Sequence, residues 1–508
     1  MPEGFLRDGS LCPEHLVHAR YGRPIDGDFK PPRAAWKLGQ SFGAPTDLRS
    51  PTDKDKDRAL YSDYFKRLAG VTQVVSPHPH GSLFHNRLIH SHKVASLGRG
   101  IALNQLRKAT DDETLRDKLL FWGGLDASAT EAAALMHDAG HPPFGHVAEK
   151  VLDEWLKAAT DEADAEGADG FEGNAQSFRD IAYLERKSVG SAGLEFTAVS
   201  LAGILKYPWL RVHGDDKKDE KFGSFRMDEE IFDMARGWAT SANLPNEAQT
   251  LEASIMDLAD DITYAVHDLQ DFLNADIIRI EQTRSVLEKL RTYVGQLIHA
   301  QTDKREPGRP AAEIAPFVEK MLRLEKFYAT MFDFDEYRTA IGTAISKLEE
   351  LSSDPGTSQP HAQIRSAGAQ LIELFVEKIV VENPAKNDEL GNQPRIHLDK
   401  ASWHLAQVLK DVTKVFVVET PRLGLHQEAQ IASLDGLLGG LEIWVEKGHV
   451  SSLPRALANL LTRRGDPEAL SKGQWRRAIV DFCCGLTDEQ AHRMSLQLRG
   501  LEMPSVYA

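Results

Sequence analysis

The sequence predicts a mainly α protein with at most a small β-hairpin. Three observations carry this. Long stretches repeat apolar residues every three or four positions, turns rich in Gly and Pro separate them, and "VTQVV" (71–75), rich in β-branched residues, reads as no more than a short extended piece. With 508 residues, 42% of them hydrophobic, the chain has room for about two to four domains, or for one large helical domain with insertions.

Residues 1–50 are rich in Pro, Gly and Arg and read as an irregular arm. From Asp55 the pattern turns helical. "DRALYSDYFKRLAG" sets Leu60, Tyr64 and Leu68 four apart, with Gly70 as a stop. "SPHPHGSLFHN" reads as a loop. "RLIHSHKVASLGRGIALNQL" resumes a helix on Leu88, Val94, Leu97 and Ile101. "TEAAALMHDAG" is a short, very apolar helix, expected to be buried. Two charged stretches, Asp161 to Gly170 and Gly214 to Gly223, read as loops. "EASIMDLADDITYAVHDLQDFL" is a strong amphipathic helix. Residues 51–275 form the expected catalytic core. Residues 276–508 form a helical C-terminal region, with "IEQTRSVLEKLRTYVGQLI", "LDGLLGGLEIW" and "WRRAIVDFCCGLTDEQA" as helices and "DKREPGRPA" and "SSDPGTSQPHA" as surface loops.

Composition excludes several function classes. Acidic residues number 76 and basic ones 60, a net charge of −16, which argues against a whole-surface nucleic-acid binder and leaves room for a local basic pocket. Three cysteines, Cys12, Cys483 and Cys484, are too few for a disulfide framework or a zinc cluster. The expected setting is a reducing cytoplasm, with no signal peptide and no transmembrane helix.

The chemistry concentrates in "LMHDAGHPPFGHVAE" (135–149). His137 and Asp138 point about 100° apart on a helix and still reach one ion lying over its edge. Imidazole plus carboxylate suits a transition metal or Mg²⁺. Further ligands must come from elsewhere; His90 in the preceding helix and Asp260 in the later one complete a set of two nitrogens and two carboxylates if those helices cross. Asp260, Tyr264 and Asp268 recur every four residues on one face, which either lines a pocket or faces water. After the Pro142-Pro143 break, His146 and Glu149 are three apart at a helix start. A glutamate there holds one imidazole nitrogen and orients the other for acid–base work. His141 lines the same pocket. His80, His85 and His92 read as loop or supporting residues.

"RLIHSHKVASLGR", "HDAGHPPFGHVAE", "FEGNAQSFR" and "MDLADDITYAVHD", in that order, resemble the successive motifs of the deoxynucleoside triphosphate triphosphohydrolases of the HD superfamily, the dGTPase family. "DKDRALYSDYFKRLAGVTQV", "LKYPW", "KKDEKFGSF" and the late "DFCCGLTDEQA" resemble further family segments. The resemblance implies an HD-domain helical fold with additional C-terminal helices, and hydrolysis of a dNTP to deoxynucleoside plus inorganic triphosphate. It implies a divalent ion, Mn²⁺ or Mg²⁺, on His90, His137, Asp138 and Asp260, with His146 as the catalytic histidine and Glu149 as its carboxylate partner. Gln73, Tyr264 and Asp268 match positions facing the deoxyribose. Asn174, Lys206, Tyr207 and Lys221 match positions near the phosphates, and Arg87 and His141 join the substrate-binding set. A homo-oligomer, and single-stranded DNA as an effector, are also expected from the family. Two departures stand out. "HNRLIHS" replaces the family's R-T-R-L-T-H-S, and "DEQA" (488–491) replaces D-R-Y-A, so a phosphate-binding arginine is expected either to be missing or to come from elsewhere, with Arg476 or Arg477 as candidates. In the expected mechanism the ion polarises the α-phosphate and activates water, the 5′-oxygen leaves, and His146 handles its proton. The alternatives are another HD-type nucleotide phosphohydrolase and a catalytically weak nucleotide or single-strand binder.

Overall fold

The helix boundaries follow from side-chain caps. Ser50 and Ser62 accept from Asp53 N and Phe65 N, and cap Pro51–Tyr61 and Asp63–Arg67. Asn86 does the same for Arg87–Asp111, and Asp126 for Ala127–Met136. In this computed structural model, residues 3–6, 8–25, 28–30, 49–73, 86–158, 169–186, 191, 193–239, 242–303, 308–352, 360–386 and 393–502 are described. Val74, Val75, His80, His85, most of the 161–170 stretch and much of 303–310 and 352–360 lie outside them.

Among the described residues the fold is helical, with two two-stranded antiparallel ribbons: Arg23–Ile25 with Asp28–Lys30, and Ile379–Val381 with Ile396–Leu398. Neither is at "VTQVV", where Val71–Gln73 forms no strand. The first predicted helix is also broken. Ser62 sits at φ −63° and ψ 141°, ending one helix and capping the next, because its hydroxyl offers the backbone a partner outside the helical ladder. The Gly214–Gly223 stretch holds a short helix, Asp216–Glu220, capped by Asp215.

The Ala127–Met136 helix is the hub. It packs against Pro51–Tyr61, Arg87–Asp111, Ala198–Ile204 and Leu251–Thr263. Its small side chains permit this: Ala129, Ala132, Ala133 and Ala134 are all fully buried. A large apolar core runs from the N-terminal segment through this hub to Val417. A second core is separate. It sets Ala148, Leu152 and Leu156 of the His146–Lys157 helix against Leu434, Leu437, Leu441 and Phe482 of the C-terminal helices. His137 and His146, nine positions apart in sequence, are therefore anchored in different cores.

Candidate metal centre and the adjacent histidine–glutamate pair

His137 is the C-cap of the hub helix. Its Nδ1 lies 2.7 Å from the Ala134 carbonyl. A carbonyl only accepts, so Nδ1 carries a proton and Nε2 is the nitrogen left to bind an ion once its own proton is displaced. That Nε2 is buried and makes no hydrogen bond among the described residues, while Asp138 Oδ1 and Asp260 Oδ1 stand 3.5 and 3.6 Å away. An imidazole lone pair aimed between two carboxylates, with its other nitrogen fixed by a carbonyl, is the arrangement metal-binding histidines adopt. The residues therefore fit a divalent cation. His90, His137 and Asp138 offer ligand atoms within 4.8 Å of one another. Asp260 stands beside this trio. Its Oδ1 accepts from His90 Nε2 at 3.0 Å and its Oδ2 from Lys206 Nζ at 3.1 Å. Lys206 also lies 2.8 Å from Asp257 Oδ1.

The electrostatics match the geometry. Burial works to raise the Asp138 and Asp260 carboxyls, but His137 and Arg87 beside the first, and Lys206 beside the second, hold both well below the usual range. His137 goes the other way: burial lowers it, Asp138 and Asp260 outweigh that, and it rises to about 9. Such a proton is one an incoming cation would displace. Arg87, expected at the substrate, is 2% exposed; its Nη1 donates to Asp138 Oδ2 at 2.7 Å and its Nε to the Thr72 carbonyl at 2.9 Å. It holds the Asp138 carboxylate in place.

The Pro142–Gly145 turn carries the chain to the second group. Phe144 and Gly145 take positive φ, 70° and 64°. Gly140 is needed for close approach: a Cβ there would meet Ser177 N at 2.0 Å. His146 Nδ1 then lies 3.1 Å from Glu149 Oε1. His141 is wedged between the two groups, Nδ1 3.1 Å from Asp138 Oδ1 and Nε2 3.3 Å from Glu149 Oε1, in directions too oblique for hydrogen bonds. Burial, with Arg87 next, drops His141 to about 3, so it is neutral. His141, His146 and Glu149 also form a cluster able to hold an ion. Lys221 Nζ, 3.7 Å from Glu149 Oε2 and 2.9 Å from Glu172 Oε1, already supplies positive charge there.

The other expected residues are placed as follows. Gln73 turns a buried Oε1 inward that makes no hydrogen bond among the described residues. Tyr264 and Asp268 flank a π-turn, Tyr264–Asp268, that continues the Asp260 helix; such bulges often mark functional sites. Tyr264 is raised by burial and by Asp268 and Asp260, and Asp268 is buried. Asn174 donates through Nδ2 to Glu172 Oε1 at 2.9 Å. Tyr207 is raised by burial, against Lys206, and also feels Asp257, Glu172 and Lys221. One expectation is overturned. Arg476 donates to Glu442 and to the Trp155 carbonyl, and Arg477, fully buried, to the Gly170 carbonyl while covering the Phe225 ring. Both hold the C-terminal helices against the core, so neither replaces a phosphate arginine. Sequence reasoning missed Glu172, Asp257 and Arg67. Glu172 was legible as a cap before Gly173–Arg179, and Asp257 as the carboxylate one turn before Asp260 and Asp261.

The HD domain family model matches residues 87–265. A deoxyguanosinetriphosphate triphosphohydrolase-like protein of Corynebacterium glutamicum (strain R) is 36% identical over 467 residues, covering 90% of this chain and 93% of that protein. The chain belongs to this family of HD-domain hydrolases. A Pseudomonas aeruginosa (strain UCBPP-PA14) protein of the same description is 28% identical over 498 residues, 92% of this chain and 98% of its own length. One from Corynebacterium efficiens is 36% identical over 256 residues, about half of each chain (50% and 52%). The matched HD segment begins at Arg87 and ends one residue past Tyr264, so it contains the metal trio, the histidine–glutamate pair and Asp260. No helix among the described residues is long and apolar enough to cross a membrane.

Proposed function

We propose that the protein hydrolyses deoxynucleoside triphosphates to deoxynucleoside and inorganic triphosphate, using Mn²⁺ or Mg²⁺ at His90, His137, Asp138 and Asp260. The observation that carries this reading is the inward His137 Nε2 between two carboxylates, with His141 joining that centre to His146 and Glu149. The names of the relatives support the substrate class.

When bound, the cation supplies positive charge to the α-phosphate and activates the attacking water. The chain does the rest. Water attacks the α-phosphorus, the bond to the 5′-oxygen breaks, and that oxygen gains a proton. His146 is placed to give it: it is 69% exposed, so it can reach substrate, while Nδ1 is fixed by a Glu149 carboxyl. Burial would raise that carboxyl, but His146, with Lys221 also beside it, holds it far below the usual range, so it stays charged throughout. Lys206 and Lys221, both held high by neighbouring carboxylates against the effect of burial, are permanent cations for the triphosphate. Tyr264 closes the sugar side, where a 2′-hydroxyl would need room. Gln73 brings an acceptor oxygen to the same side.

The test is incubation with each dNTP and each ion, separating the anionic products by chromatography. Inorganic triphosphate supports the reading; orthophosphate or pyrophosphate as first product overturns it in favour of another HD-type nucleotide phosphohydrolase.

A further inference from the structure

The late segment "GLTDEQA" is unused by the chemistry above, yet it reaches the site. Asp488 opens the Asp488–Leu498 helix, capped by Thr487. Its carboxylate does not serve that helix. Oδ1 accepts from Phe144 N at 2.8 Å, and Oδ2 accepts from Thr72 N at 3.0 Å and from the Thr72 hydroxyl. Phe144 is two residues before His146 and Thr72 one before Gln73. The Thr72 carbonyl in turn accepts from Arg87, which holds Asp138. One carboxylate thus ties together the turn that aims His146, the segment that presents Gln73, and the support of a proposed metal ligand.

Two further contacts fix its place. Arg67 Nη1 donates to the Leu486 carbonyl at 2.8 Å, and Nη2 to the Ala139 and His141 carbonyls, each at 2.7 Å. The same guanidinium therefore grips the turn before Asp488 and the loop after Asp138. A Cβ on Gly70 would stand 2.7 Å from Thr487 Cγ2, so that glycine lets the segments meet. The need for a tie is visible in the backbone. Phe144 sits at φ 70°, a conformation bulky residues rarely adopt, and its amide is the one Asp488 holds.

We propose that Asp488 is a positioning residue: the C-terminal helical region, through this one carboxylate, sets the aim of His146 and Gln73 relative to the metal centre. This rests on the proposed function, in which His146 must meet the leaving oxygen. A carboxylate is required because three donors converge on it. An amide keeps one acceptor oxygen, enough for Phe144 N, and offers Thr72 an N–H where the carboxylate accepted.

The test uses the full-length protein with Asp488→Ala and Asp488→Asn, measuring bound metal per chain, kcat and KM for the best dNTP, and Tm. Misaiming a reacting group by about an ångström costs on the order of 100-fold. The expected result is kcat about 10- to 100-fold lower in the alanine variant, with the asparagine variant between it and the parent. KM and metal content stay near parental values. If kcat per folded, metal-loaded molecule equals the parent's, or if asparagine rescues nothing, the positioning role is overturned and Asp488 only stabilises the fold. Should the alanine variant not fold, Asp488→Asn alone decides, since a purely structural role predicts parental kcat in it. A parent that turns over no dNTP defeats the proposed function instead; a parent that does, with parental variants, defeats only this inference.

Discussion

Replacing Glu149 by Gln isolates what the carboxylate does for His146. Glu149 Oε1 lies 3.1 Å from His146 Nδ1. At that distance the attraction for a protonated imidazole is about 1.3 kcal/mol at the dielectric of water and about 5 kcal/mol at an effective value near 20. Glu149 is largely buried but His146 is 69% exposed, so solvent screens much of it and the lower half of that range applies. About 1–3 kcal/mol corresponds to roughly a 5- to 150-fold loss in kcat. Glutamine keeps the shape and one hydrogen bond, so metal content and KM should change little. His146→Ala removes the proton donor itself and should cost more, on the order of 10²–10⁴-fold. The assay is steady-state triphosphate release, alongside metal analysis of each protein. Should Glu149→Gln match the parent, or lose more activity than His146→Ala, the acid assignment is wrong.

His137→Ala and Asp138→Ala should each lose bound metal and activity together, as read by equilibrium dialysis with Mn²⁺ and by turnover; metal retained at parental affinity contradicts the ligand assignment. Arg179 is buried, with Nη1 2.6 Å from Asp228 Oδ1 and Nη2 3.0 Å from Asp481 Oδ2; Arg464 also lies 3.2 Å from Asp481, so Arg179→Met strands the Asp228 carboxylate while Asp481 keeps one cation. It should cost about 3–5 kcal/mol in chemical denaturation at pH 8 and less at pH 5, where the stranded Asp228 carboxyl can take up a proton. Asp126, 1% exposed at the start of the hub helix, is raised by burial and by Asp8 to about 7. A carboxyl raised on folding binds its proton more tightly in the folded state, so the parent loses stability as pH climbs from about 4 to about 7, by up to about 4 kcal/mol. Asp126→Asn keeps the cap and should lack that slope; a parallel pH–stability curve contradicts the assignment.

Much of this was legible in local pattern. The hub helix announced itself by its run of alanines ending in Leu135 and Met136, and the Asp260 helix by its stripe, because periodicity reports which face is buried. His146 and Glu149 were paired by spacing alone, and the structure sets them 3.1 Å apart. What sequence could not give was partnership across long separations. Arg87 bonds a carboxylate 51 positions away, and Asp488 reaches back 344 positions to Phe144 and 416 to Thr72. No local period encodes such contacts. The break at Ser62 was missed for another reason: Leu60, Tyr64 and Leu68 keep helical spacing across it, while the serine hydroxyl favours a cap. Arg476 and Arg477 looked available for phosphate because charge suggests exposure, whereas both are buried against backbone carbonyls and aromatic rings.

Whether His90, His137, Asp138 and Asp260 hold one ion is tested most directly by anomalous diffraction from crystals grown with Mn²⁺. One peak is predicted about 2.0–2.3 Å from a nitrogen of each histidine and an oxygen of each aspartate, with Asp260 released from its bond to His90. A peak centred on His141, His146 and Glu149 instead, or Asp260 still hydrogen-bonded to His90 in a metal-saturated crystal, would contradict it.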